Sequence, residues 1–129
     1  MNKLIFIVED NMATMLVNYL RCSTIENILF LYGFHGPRKQ IFDNIMTRLF
    51  NTHIAFEFIP IILECGLEEN IKRARNDGRD ENRIQFGVEN SREIYNQYDY
   101  FRLDITHLTV DESVENLIDV IRHACLNSS

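Results

Sequence analysis

The chain has 129 residues, 46% hydrophobic and 25% charged, with 13 Lys+Arg against 19 Asp+Glu and a net charge of -6. That length supports one domain, residues 1–129, with a two- or three-layer core, and that charge excludes a general nucleic-acid binder, which needs a basic surface to neutralise phosphates. No apolar run is long enough to span a bilayer, and Leu4–Val8 is too short for a signal-peptide core and has no small-residue cleavage site after it, so the expected location is the cytoplasm.

Leu4–Val8 (LIFIV) is a short β-branched run of the fully buried strand type. Glu9, Asp10 and Asn11 then supply acidic and capping groups for a helix start. Met12, Met15, Leu16, Tyr19 and Leu20 follow at helical spacing. Ser23–Asn27 is polar, and Ile28–Tyr32 (ILFLY) reads as a second buried strand. Gly33–Arg38 (GFHGPR) is a loop, because two glycines and a proline interrupt regular structure. Ile41, Phe42, Ile45, Met46 and Leu49 mark the next amphipathic helix.

Phe58–Cys65 (FIPIILEC) is the third expected strand, with Pro60 near its start or at an irregular point because it lacks a ladder donor. Leu67–Arg75 reads as helix, Asn76–Gly78 as a break, and Glu89–Tyr98 as a further helix. Phe101–Ile105 is the fourth strand. Thr109 with Glu112 fits a capping box, and Val114, Leu117, Ile118, Ile121 and Cys125 stripe the last helix. Ser23 with Glu26 matches the box by chance, since a strand follows it. This alternation implies a mainly parallel sheet of about four strands with helices on both faces, a three-layer α/β domain. Ligands of such sheets bind at the carboxyl ends of the strands.

Three segments fall there: Glu9–Asn11, Gly33–Arg38 and Asp104–His107. Three features of the chain could carry chemistry. In GFHGPR, His35 and Arg38 would face a substrate or an anion; the plainer alternative is a solvated turn. Lys72, Arg73, Arg75, Arg79, Arg83 and Arg92 cluster within an arginine-rich segment, about residues 67–98, flanked by strands. Arginine forks suit bidentate phosphate recognition. Interleaved acids, including Glu68, Glu69, Asp77, Asp80, Glu81, Glu89 and Glu93, equally fit a salt-bridged, solvated helical face. In LDITH, Asp104 and Thr106 would brace that segment, touch a nucleotide base, or simply cap a strand end. Tyr95, Tyr98 and Tyr100 read as packing. Cys22, Cys65 and Cys125 are odd in number, widely spaced and without C-x-x-C, which argues against a disulfide framework or a zinc site. Cys65 reads as a small core residue. The four His are scattered, so no metal site is expected.

LIFIVEDN and YFRLDI have a superficial likeness to a response-regulator receiver. Asp104 stands too late in the chain for a phosphoacceptor, and no later strand ends in Lys. The order of EDNMATMLVNYLRCSTIENILFLYGFH, FIPIILECGLEENIKRARNDGR and SREIYNQYDYFRLDITHLTVDESVENLI instead resembles the P-loop kinase-like proteins, including small nucleotide and shikimate-type kinases and proteins labelled AAA-family ATPases. The likeness covers about residues 9–123. It implies a P-loop NTPase-like fold using ATP and Mg2+. Residues 67–98 would form a mobile lid in which Arg73, Arg79 and Arg83 bind phosphate and Arg92 supports them, with His35 and Arg38 on the substrate side.

The family's G-x-x-x-x-G-K-[ST] is missing. The five glycines stand at 33, 36, 66, 78 and 87, and Lys3 precedes the first expected strand. Phosphoryl transfer rests on positioning and charge stabilisation of the phosphates, so ordinary kinase activity is not expected. Three readings follow. One is a shortened relative that still binds a nucleotide or a small phosphorylated molecule. Another is a non-enzymatic interaction domain that keeps the fold. The third is an active enzyme whose loop comes from a partner chain or an upstream segment. LIFIV is expected in the centre of the sheet; otherwise a partner chain or self-association would complete it.

Overall fold

The computed structural model describes the backbone of residues 3–127, and within it the side chains other than those of residues 3, 5, 88–91 and 125–127. Expectations for the side chains of Lys3, Glu89 and Cys125 lie outside the described residues. The chain divides into two compact units, Met1–Glu57 and Phe58–Ser129.

The first unit is a helix pair, α1 (Lys3–Arg21) and α2 (Arg38–Asn51). LIFIV is the first part of α1, which corrects its assignment to a strand. A five-residue apolar run does not separate strand from helix by periodicity. No Gly or Pro lies between Leu4 and Arg21, and each residue added to an existing helix gains a hydrogen bond. The inward face is Glu9, Ala13 and Leu16, at i, i+4 and i+7, while Leu4, Phe6, Ile7 and Val8 stay exposed. Ala13 and Leu16 pack with Ile45 and Leu49 of α2, and Ile45 is fully buried. An exposed Arg48–Asp10 ion pair at 2.8 Å spans the two helices.

The segment joining them is extended. Ile28 and Phe30 reach the helix-pair core. Phe30 stacks on Tyr32 with ring centroids 5.3 Å apart, and Phe34 lies 5.0 Å from Phe42 of α2. Gly36, at φ +56°, makes the turn before Pro37 and α2, a conformation that glycine adopts without strain. Ile28–Tyr32 alternates in burial as a strand would but pairs with no other strand among the described residues, so it is not a sheet member there.

The second unit holds the whole described sheet, β1 (Ile61–Glu64) parallel to β2 (Phe101–Asp104), in register from Ile61↔Phe101 to Glu64↔Asp104. β1 begins directly after Pro60, the residue with no ladder donor. The helices α3 (Leu67–Asn76) and α4 (Glu81–Ile94) fold back on each other about a turn with Gly78 at φ +78°. Ala74 and Ile84 are their small buried core, with Ile71 beside it. A 3-10 turn (Tyr95–Gln97) leads to β2, and α5 (Val110–Asn127) ends the chain. Its capping box forms as the sequence predicts: the Thr109 N–H donates to Glu112 Oε1 at 3.0 Å and the Glu112 N–H to Thr109 Oγ1 at 3.1 Å.

The expected three-layer P-loop NTPase-like sheet of about four strands is therefore corrected, among the described residues, to five α-helices and one two-stranded parallel sheet. Two of the four apolar runs lack what a strand requires. LIFIV is absorbed by a helix, and ILFLY finds no strand partner among the described residues. Among the described residues, no helix is long and apolar enough to cross a membrane.

Candidate functional site

The carboxyl ends of β1 and β2 are where a parallel sheet offers a binding edge, and polar residues gather there. Thr106 stands at the centre. Its hydroxyl accepts from the Gly66 N–H at 2.7 Å, ahead of α3, and donates to Asp104 Oδ1. The same carboxylate oxygen accepts the Thr106 N–H at 2.9 Å. Those bonds, with the Thr106 hydroxyl bond foremost, hold the Asp104 carboxyl below its ordinary range, and His107 adds a smaller pull. A Cβ at residue 66 would lie 3.2 Å from Thr106 Cγ2, so glycine permits this close approach.

Arg73 of α3 closes over the turn that follows β2. Its Nη2 donates to the carbonyls of Ile105, Thr106 and Leu108 at 3.1, 3.3 and 3.2 Å, and its Nε to Glu69 Oε1 at 3.0 Å. These carbonyls lie beyond the end of the strand ladder, and the guanidinium fork satisfies them. Arg92 Nη1 donates to the Cys65 carbonyl at 2.9 Å. Arg73 and Arg92 thus donate to protein carbonyls at the strand ends.

The other arginines lie on the helical hairpin. Arg75 grips Glu81 with two bonds of 2.6 and 3.0 Å across the turn between α3 and α4. This contact raises the Arg75 guanidinium and lowers the Glu81 carboxyl from their ordinary values. Arg79 and Arg83 are exposed, and no ion pair among the described residues involves their side chains. Phosphate would approach them at the amino end of α4. That end is already capped: Asp80 Oδ1 accepts the Arg83 N–H at 2.8 Å, placing a carboxylate where an anion would sit.

His35 and Arg38 belong to the first unit, both exposed, with the Arg38 N–H donating to the His35 carbonyl at 3.1 Å. Arg102, which sequence reasoning passed over, pairs with Glu64 of the neighbouring strand at 2.6 Å and donates to the carbonyls of Tyr95 and Tyr98. Its cross-strand register with Ile62 was the available signal, given the two strands. Tyr98 and Tyr100 stack at 5.4 Å, as packing predicts. Cys65 is half-buried, and Cys22 is exposed, its thiol lowered by its hydrogen bond to Thr24. Among the described residues no group of three or more His, Cys, Asp or Glu is placed to hold a metal ion.

Beside the polar cluster runs an apolar groove of about 540 Å3. Leu63 of β1, Ile105 and Leu108 form one side, and Val110, Val114 and Leu117 of α5 the other, with Arg73 in the wall. The three α5 residues are spaced i, i+4 and i+7 and so share a helix face. Leu63, Val110 and Val114 are all exposed large hydrophobics. The sequence showed the apolar stripe of α5 but not that it faces outward beside Leu63. Comparison of the chain with protein-family models, with curated proteins and with solved structures finds no match to any of the three.

Proposed function

We propose that the protein is a non-enzymatic interaction module whose second unit receives an amphipathic helix of another protein. One observation carries this reading: the 540 Å3 groove between Leu63 and the Val110–Val114–Leu117 face of α5 is open and almost wholly apolar. Apolar surface gathered into a groove is favourable to cover, and parallel helix rows are a common way to cover it. Arg73 and the capping box of α5 give the groove fixed walls. A cytoplasmic location goes with this reading.

The phosphate-binding reading has less support. Of its four arginines, Arg73 and Arg92 are engaged with backbone carbonyls, and Arg79 and Arg83 stand beside the Asp80 carboxylate. Activity that uses ATP and Mg2+ would need the phosphate cradle that the sequence lacks.

The test is selection from a displayed library of amphipathic helical peptides, followed by affinity measurements. Peptides with apolar residues at i, i+3, i+4 and i+7 are expected to enrich and to lose at least about tenfold in affinity against Val114→Asp. No enrichment, or binding indifferent to Val114→Asp, overturns the reading. Thermal stability with millimolar Mg-ATP runs in parallel, since a ligand of the folded state raises the midpoint. A shift abolished by Arg79→Ala/Arg83→Ala would restore the nucleotide reading.

A further inference from the structure

Residues 25–35 of the first unit belong to no helix or sheet, and burial alternates along Ile28–Tyr32 as it does in a strand. Ile28, Phe30 and Tyr32 turn inward and are half-buried, while Leu29 and Leu31 are 69% and 86% exposed. Among the described residues, the backbone N–H and C=O groups from Ile28 to Gly33 take part in no hydrogen bond. Such rows of donors and acceptors are templates for pairing, and natural edges are usually blunted with Lys, Pro or charge. None of those devices occurs from Asn27 to Phe34.

We propose that this segment pairs with the same segment of a second copy, antiparallel, as a two-fold β ribbon. The charges select both partner and direction. Glu26 stands before the segment and Arg38 after it, both exposed, with no charge from Asn27 to Gly36. Antiparallel pairing brings the Glu26 end of each copy toward the Arg38 end of the other, whereas parallel pairing would set like charges side by side. Leu29 of one copy then lies beside Leu31 of the other on the outward face, an apolar cross-strand pair made twice. The first unit holds five Lys+Arg and five Asp+Glu, so two such units meet without net repulsion. One six-residue ribbon buries less than the standard interface, about 1,600 Å2, so the dimer is weak and concentration-dependent. This proposal uses residues apart from the groove and does not rest on that reading.

Sedimentation of the full chain over a wide concentration series tests it. The average mass is expected to climb from one chain toward two and stop there. Leu31→Lys, at an exposed position, should weaken association at least about tenfold while the helical circular dichroism and melting stay unchanged. Glu26→Arg should weaken it several-fold, and Glu26→Arg/Arg38→Glu should restore it, which a merely local role for either residue would not do. A chain that stays monomeric, one that grows beyond two copies, or association indifferent to Leu31→Lys overturns the proposal. Failure of the double swap to restore pairing overturns the antiparallel arrangement.

Discussion

The two units solve the problem of a small core in opposite ways. Met1–Glu57 carries five Lys+Arg and five Asp+Glu; Phe58–Ser129 carries eight and fourteen, so the whole net charge of -6 falls in the second. The first unit is held by packing, with Ala13, Leu16, Ile45 and Leu49 interlocked and aromatic rings stacked beside them. Among the described residues the second clusters only Ala74 and Ile84 as buried apolar neighbours, with Ile62 buried apart from them. Its polar ties are more numerous: Arg73 to three carbonyls, Arg102 to Glu64 and two carbonyls, and Thr106 between Gly66 and Asp104. The contrast shows that an acidic segment can be ordered by arginines that resemble binding residues in the sequence. It also predicts that the units respond to different insults.

The largest effect should come from the packed unit. Ile45→Ala empties a fully buried site and should cost about 2–5 kcal/mol. Hydrogen exchange read segment by segment should show protection lost in α1 and α2 and retained around β1 and β2. Equal loss in both units would mean that the division into a packed and a polar half is wrong. Next is Arg73→Met, which keeps much of the apolar stem but leaves the Ile105, Thr106 and Leu108 carbonyls without their donor. Leaving such groups unsatisfied costs about 1–3 kcal/mol, and the half-exposed setting favours the low end. Exchange should rise in the turn after β2, while α1 and α2 are unmoved.

The same contrast explains which parts of the structure could be read from the sequence. Helices with caps or long stripes were plain: Thr109 and Glu112 place the start of α5, and Ile41, Phe42, Ile45 and Leu49 place α2. The third expected strand, Phe58–Cys65, contains β1, which is shorter and begins only after Pro60. The strands LIFIV and ILFLY were misread because a short apolar run has no period of its own. Whether it joins a sheet depends on a partner far away in the chain, or in another chain. The arginines posed a similar ambiguity. A guanidinium suits phosphate and backbone carbonyl alike, and nothing in the order Arg73, Arg79, Arg83 states which it meets. The groove was invisible for a third reason: Leu63 and Val114 are 51 positions apart, and their adjacency is a tertiary fact.

A smaller effect tests the helix caps of the polar unit. Asp80→Ala removes the acceptor for the Arg83 N–H at the start of α4 and should cost about 1 kcal/mol. It also clears the carboxylate from that helix end. If inorganic phosphate then binds near Arg79 and Arg83 in the variant and not in the parent chain, Asp80 is what keeps anions off this helix. Phosphate binding to the parent chain would instead favour the nucleotide reading.

Acid should separate the two units with the mildest perturbation. The carboxyls of Asp104, Glu81 and Glu112 all titrate below their ordinary values, drawn down chiefly by hydrogen bonds from Thr106, Arg75 and the Thr109 N–H. A carboxyl with a depressed folded pKa adds stability that is present above its unfolded value, about 3.9 for Asp and 4.3 for Glu. That contribution is lost as pH falls through the folded value. All three groups lie in the second unit and all are exposed, so the change should be gradual and small. Protection at Gly66, Thr106 and the first turn of α5 should decline as pH drops below about 4, while α1 and α2 keep theirs. The exposed Arg48–Asp10 pair adds little to the first unit. Asp104→Asn should flatten the decline at Gly66 and Thr106 and leave it unchanged at Glu112. A decline shared equally by both units would mean that the polar ties of the second unit do not set its acid response.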